Sequence, residues 1–159
     1  MADRIAVMKD GVLQSFDKPQ ELHDRPRNRF IAEFIGNPPM NLIDVELVEE
    51  AGQMMARASH FTMAVPAGRV PDRSAKEVLM GIRPQHVSLT RQAEGKAAVE
   101  LIEPLGRDNL IVCRHDDEAI NVLASPDLEL AIGDRVDIAM QMEAVQFFDR
   151  ASGKSLLWS

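Results

Sequence analysis

Hydrophobic and polar positions keep one rhythm up to about residue 40 and another after it. The run Ile5-Ala6-Val7-Met8 and the stretch from Val12 to Phe16 flank Lys9-Asp10-Gly11. Asp-Gly between two apolar stretches predicts a hairpin, because Gly takes a positive φ at no steric cost. Asp17 is the expected cap of a helix with Pro19 in its first turn and Glu21 near the positive end of its dipole. That helix has to stop before Pro26, which disfavours a helical Arg25. A second helix is predicted over residues 27–35, with Phe30, Ile31, Phe34 and Ile35 on one face. Gly36 closes it, and Pro38-Pro39 bars continuation. A hairpin and two short helices make a poor core by themselves. The apolar groups Val7, Leu13, Phe30 and Phe34 are therefore expected to stand uncovered.

Beyond Pro39 the period shortens to two. Ile43, Val45 and Leu47 alternate with Asp44 and Glu46, which predicts a half-buried strand, and Gly52 marks the next turn. Further strands are expected at residues 54–58, 61–65, 78–82, 87–89, 97–102, 109–114, 119–123, 135–140, 145–148 and 155–158. A polar loop separates them at 66–74. Short strands with turns every ~8–12 residues predict a small all-β barrel or sandwich. The chain thus divides into residues 1–40, a hairpin with two helices, and residues 41–159, a β domain.

Charge sharpens this division. Residues 1–40 carry six basic and six acidic side chains, whereas 41–159 carry 12 and 19, so the whole net charge of −7 falls on the β part. An acidic surface repels phosphate backbones, and six Phe, one Trp and no Tyr leave little for stacking bases. Nucleic acid is not an expected partner. No apolar run approaches ~18 residues, and the N-terminal residues lack a secretory layout. Cys113, the sole cysteine, excludes an internal disulfide and fits a reducing compartment, so the expected location is the cytoplasm.

Candidate chemistry is sparse. Gly153-Lys154-Ser155 resembles the end of a phosphate-binding loop, but Phe148 stands where the first glycine belongs, and a hairpin turn is the better reading. Cys113 and His115 share a strand face, yet two ligands are too few for structural zinc. Asp116-Asp117-Glu118 lacks the alternation of a calcium loop and reads as a solvated turn. His23 and His60 do not stand in a recognisable nucleophile setting. The turn Gly81-Ile82-Arg83-Pro84-Gln85-His86-Val87 is more suggestive. Pro84 fixes its backbone and Arg83 offers a planar fork of donors, so Arg83 and His86 either contact an anionic ligand or pin a neighbouring loop. The nine methionines fill core gaps. No catalytic, cofactor-binding or metal-ligating residue is expected.

Several segments, in order, resemble one family. Met1-Ala2-Asp3-Arg4-Ile5-Ala6-Val7-Met8-Lys9-Asp10-Gly11, with Gln14, Pro19, Glu21-Leu22 and Pro26, looks like the end of an ABC-transporter ATP-binding domain. Residues from Phe30 to Asn41 (FIAEFIGNPPMN) resemble the helix and exit segment joining that domain to its C-terminal extension. Gly81-Ile82-Arg83-Pro84-Gln85-His86 matches a turn of that extension, usually written with Glu where Gln85 stands. Glu103-Pro104-Leu105-Gly106 and Gly133-Asp134 match its later turns. The family is the ATP-binding subunit of carbohydrate-type ABC importers, the maltose and glycerol-3-phosphate uptake group, whose C-terminal part is an OB-like (TOBE) regulatory domain.

The resemblance implies a mainly β fold, with an OB-like barrel-type domain at 41–159 behind a remnant of the ATP-binding domain at 1–40. It implies a homodimer, membrane subunits as partners, a regulatory protein, and a parent subunit that hydrolyses ATP with Mg at the cytoplasmic face of the membrane. The family's phosphate loop, signature motif, acidic strand and switch histidine all lie upstream of the segment matching Ala2-Asp3. The expected role of this chain is therefore regulation and dimerisation rather than catalysis, with no cofactor of its own. The alternative is a free-standing sensor of a small ligand or oxyanion, with Arg83 and His86 as its contacts.

Overall fold

The computed structural model describes residues 3–59, 61–71 and 77–158. About half of the chain is strand, in the mainly β class read from the sequence. By packing, the chain forms two units: residues 1–81 with 146–159, and residues 82–145.

The first unit opens with the expected hairpin. Strands β1 (Ile5–Lys9) and β2 (Val12–Asp17) pair antiparallel, with Lys9 opposite Val12. Asp10 and Gly11 take φ of 50° and 77°, the left-handed pair that a two-residue turn of this hand requires. A register shift at Val7/Met8 sends Val7 and Ser15 inward and leaves Met8, Leu13 and Phe16 on the outer face, each more than half exposed.

At helix α1 (Pro19–Asp24) the N-cap position is held by Lys18, without a side-chain capping bond, and not by the expected Asp17. Asp17 belongs to β2, where its carboxylate accepts from the Ser15 hydroxyl and pairs with Arg27 at 3.4 Å. Helix α2 (Arg29–Phe34) starts where the Asn28 side chain accepts from the Ile31 N–H at 2.9 Å. Its adjacent residues Ile31 and Ala32 enter two different clusters. Ile31 packs with Val7 and Leu22, so Val7 is covered after all. Ala32 joins Met40, Leu79 and Phe148. Phe34 stands uncovered as expected, 64% exposed, and stacks on Phe30 with ring centroids 5.6 Å apart.

A five-stranded sheet completes this unit, in the order β12 (Gln146–Asp149), β6 (Glu77–Ile82), β3 (Asn41–Glu50), β4 (Gln53–Arg57), β5 (Thr62–Ala64). Along β3 the inward residues Ile43, Val45 and Leu47 alternate with exposed Asp44 and Glu46, as their spacing predicts. On β6 the alternation fails, because every residue from Val78 to Ile82 is buried. Val78, Met80 and Ile82 share one face. The other carries Leu79, which meets Ala32 and Phe148 of the α2 cluster, so the first forty residues have a packing partner within the chain.

The C-terminal residues do not form the strand expected at 155–158. Beyond the isolated bridge from Ser155 to Phe148, the Ser155 hydroxyl accepts from the N–H of Leu157 and Trp158 at 3.1 and 2.9 Å, turning the backbone out of extension. This turn delivers Trp158 to Gln146. The indole N–H donates to Gln146 Oε1 at 2.7 Å, while Gln146 Nε2 donates to the Asp24 carbonyl at 2.9 Å. The guanidinium carbons of Arg25 and Arg69 lie 5.1 and 5.4 Å from the ring centroid. Gln146 is 4% exposed, and Gln146→Leu removes both of its part-buried bonds at a cost of about 1 kcal/mol or more. The expected result is a lower Tm and a red-shifted emission from Trp158, the only tryptophan. Unchanged emission would show that the ring is held by something other than this chain of bonds.

The second unit is one antiparallel sheet in the order β10 (Glu118–Ala124), β9 (Asn109–His115), β8 (Ala97–Pro104), β11 (Arg135–Met140), β7 (Val87–Arg91). Its buried positions include Leu89, Val99, Ile111, Ile120, Val122 and Val136, the apolar halves of alternating strands. Asp116-Asp117 makes the tight turn between β9 and β10, with Asp116 at φ 55°.

Candidate functional site

The turn singled out in the sequence is well defined. Arg83 leaves β6 in an extended conformation, and Pro84–His86 forms one 3-10 turn in which the His86 N–H donates to the Arg83 carbonyl at 2.9 Å and the Val87 N–H closes the turn on the Pro84 carbonyl. The His86 carbonyl in turn accepts from the Gln141 N–H at 2.9 Å, and β10 packs beside the turn. Pro84 fits the first position of such a turn, since it has no N–H to leave unpaired. Arg83 is only 4% exposed, His86 half-buried and Gln85 exposed. A guanidinium so far from solvent is a buried cation. That is the setting of a structural pin as much as of a ligand contact.

Cys113 sits on β9 opposite Ile120 of β10 and Val99 of β8, all three buried. Burial pushes its thiol up to about 11, which keeps it protonated at neutral pH, the setting of an unreactive buried cysteine. His115 follows two residues later, opposite Glu118. Among the described residues, no three His, Cys, Asp or Glu side chains gather as a metal site. His23 lies beside Asp24, its Nδ1 2.9 Å from Oδ1. His60 lies outside the described residues, as does part of the polar loop at 66–74.

Gly153-Lys154-Ser155 belongs to a turn that consumes its own donors. The Ser152 N–H donates to Asp149 Oδ1 at 2.6 Å, the Gly153 N–H to the Asp149 carbonyl at 2.8 Å, and the Lys154 N–H to Ser152 Oγ at 3.2 Å. Gly153 takes φ 76°. The Ser152 N–H, with its hydroxyl in support, holds the Asp149 carboxyl below the usual carboxylate range. No fan of backbone N–H groups is left here for a phosphate, so the resemblance to a nucleotide loop ends at the letters.

Sequence reasoning missed two arrangements because their parts lie far apart along the chain. One is the Trp158 ring with the guanidinium groups of both Arg25 and Arg69 over it. The other is a basic groove bringing Lys9, Arg29 and Lys154 together. The lone Trp close to the C-terminus was the only available hint of either.

Two domain models match the chain: a MalK OB fold domain over residues 36–87 and a TOBE domain over residues 80–148. They overlap across the Gly81–Val87 turn. The trehalose/maltose import ATP-binding protein MalK of Thermococcus litoralis is 31% identical over 170 residues, covering 98% of this chain and 45% of the relative. The sn-glycerol-3-phosphate import ATP-binding protein UgpC of Salmonella typhi is 31% identical over 156 residues, covering 97% and 43%. A putative ATP-binding protein of Brucella abortus is 34% identical over 157 residues, covering 98% and 43%. The chain spans less than half the length of these relatives. Residues 36–148 therefore belong to the MalK OB fold and TOBE domain families, and the chain is a homologue of the ATP-binding proteins of sugar and glycerol-3-phosphate import.

Proposed function

We propose that this chain is the C-terminal regulatory and dimerisation part of the ATP-binding subunit of an ABC importer for sugars or glycerol-3-phosphate-like solutes. The observation that carries the reading is similarity over 97–98% of the chain to import ATP-binding proteins, through an OB and a TOBE domain. On this reading residues 1–40 are the end of the ATP-binding domain and residues 41–159 the regulatory domain. The apolar outer face of the hairpin, with Met8, Leu13 and Phe16, suits packing against the rest of an ATP-binding domain. ATP and Mg belong to that domain, and this segment works through protein contacts: with its copy, with the importer's membrane subunits at the cytoplasmic face, and with a regulator that binds one state of the dimer better than the other.

Dimerisation is the direct test. Light scattering at tens of micromolar, roughly where a modest interface persists, is expected to report twice the mass of one chain. A clean monomer there counts against the reading. A second reading, an oxyanion or solute sensor, rests on Arg83 and His86 sharing one rigid turn. Calorimetry with sugars, glycerol phosphate and oxyanions decides it, since that reading requires heat that Arg83→Met abolishes.

A further inference from the structure

We propose that the groove between the hairpin tip, the start of α2 and the 149–154 turn binds a phosphate group. The groove is an open cavity of about 480 Å³. Four cations line it, Lys9, Arg29, Arg150 and Lys154, against one carboxylate, Glu33, in a chain whose net charge is −7. Like charges gathered around one groove repel one another, and an anion held among them relieves that repulsion.

The frame behind these side chains is tied by backbone bonds. The Arg29 N–H donates to the Gly153 carbonyl at 2.7 Å and the Ser155 N–H to the Arg27 carbonyl at 2.8 Å, so Arg29 and Lys154 spring from segments fastened to each other. Asn28 extends the frame to the hairpin, its Nδ2 donating to Gln14 Oε1 at 3.0 Å. Lys9 reaches in from the hairpin tip, its ammonium 5.2 Å from the centroid of the Phe30 ring. Arg150 is committed elsewhere, pairing with Asp44 at 3.2 Å. That leaves Lys9, Lys154 and Arg29, the last shared with Glu33 at 2.9 Å.

Three cations from three elements match a phosphate, which carries nearly two charges on terminal oxygens pointing in different directions. A carboxylate, with one charge and two oxygens in one plane, would leave part of the set uncompensated. The shared chemistry is the phosphate itself, whether free or as an ester.

The test is a titration of the full 15N-labelled chain at constant ionic strength with inorganic phosphate, glycerol 3-phosphate and acetate. Saturable shifts of the Lys9, Arg29, Gly153 and Lys154 amides are expected with both phosphates, and acetate should bind at least about tenfold more weakly. Equal affinity for the two phosphates would make the free ion sufficient, while tighter binding of the ester would extend the site to the organic part. Both outcomes support the proposal. K9Q/K154Q should weaken binding about tenfold. E33Q, which releases Arg29, should tighten it about threefold, an effect that general damage to the fold cannot mimic. Shifts that rise linearly without saturation, acetate matching phosphate, unchanged affinity in K9Q/K154Q, or saturable shifts centred on Arg83 and His86 would each overturn it. If K9Q/K154Q fails to fold, E33Q still decides.

Discussion

Gly95→Ala is expected to melt the second unit well below the temperature at which the native chain unfolds. Gly95 is buried in the turn from β7 to β8, and a Cβ built there would lie 2.5 Å from the Val136 carbonyl oxygen, 2.6 Å from its carbon and 2.7 Å from its nitrogen. These are backbone atoms of β11, which cannot move independently. Val136 pairs with Arg91 of β7 on one side and with Ala97 of β8 on the other. The turn has no more room to retreat, because the Gly95 N–H donates to the Gln92 carbonyl and the Gln92 N–H to the Arg135 carbonyl, both at 2.9 Å. Relief therefore requires breaking ladder bonds on β11, which is paired on both sides, at a cost of about 3 kcal/mol or more. For a unit of this size that corresponds to a fall in Tm of roughly 12–24 °C. Gly52→Ala is the matched control: its φ is +80° but nothing lies within 4 Å of the added Cβ, so only the left-handed backbone is penalised, by about 1 kcal/mol. Calorimetry on the two variants separates collision from backbone strain. Equal losses would mean that the close approach at Val136 is not what constrains Gly95.

The contrast between these glycines also marks how far the sequence could be read. The Asp10-Gly11 hairpin was legible because two successive left-handed residues are a local demand that few residue types meet. The alternation of β3 was legible because one face meets the core and the other water. On β6 the same rule found Val78, Met80 and Ile82 but missed the burial of Leu79, which depends on Ala32 and Phe148, far away in the chain. The error at 155–158 was local: a serine hydroxyl captured two backbone N–H groups that the strand pattern had assigned to a ladder. Phe34 is uncovered as expected, but Val7 is not, because nothing local to the hairpin shows that Leu22 and Ile31 close over it. Of the candidate site, Pro84 made the Arg83–His86 turn visible, since proline fixes the backbone in any context. The groove of Lys9, Arg29 and Lys154 left no local trace, because only tertiary bonds bring its walls together.

That dependence on tertiary bonds makes Phe148→Ala the most informative change in the first unit. Phe148 is fully buried opposite Leu79 on β6, with Ala32 and Met40 completing its cluster. Truncating a ring in such a site costs about 3–5 kcal/mol, from lost transfer free energy and from the cavity left behind. Partial collapse is blocked on one side by β6, which is also buried on its opposite face. The loss falls on the contact holding α2 to the sheet, so it should be felt beyond the cavity. Trp158 reports this directly, since its indole is bonded to Gln146 on the same strand as Phe148. The expected result is a large fall in denaturation midpoint with a change in Trp158 emission that precedes loss of the β signal. Phe34→Ala removes a ring of the same type, 64% exposed, from the neighbouring turn of the chain, and should shift stability by no more than about 0.5 kcal/mol at low protein concentration. If dimerisation covers that ring, the variant will diverge from the native chain only as concentration rises, because the lost burial then belongs to the interface. A Phe34→Ala loss as large as that of Phe148→Ala, and independent of concentration, would mean that α2 presents its other face to the core.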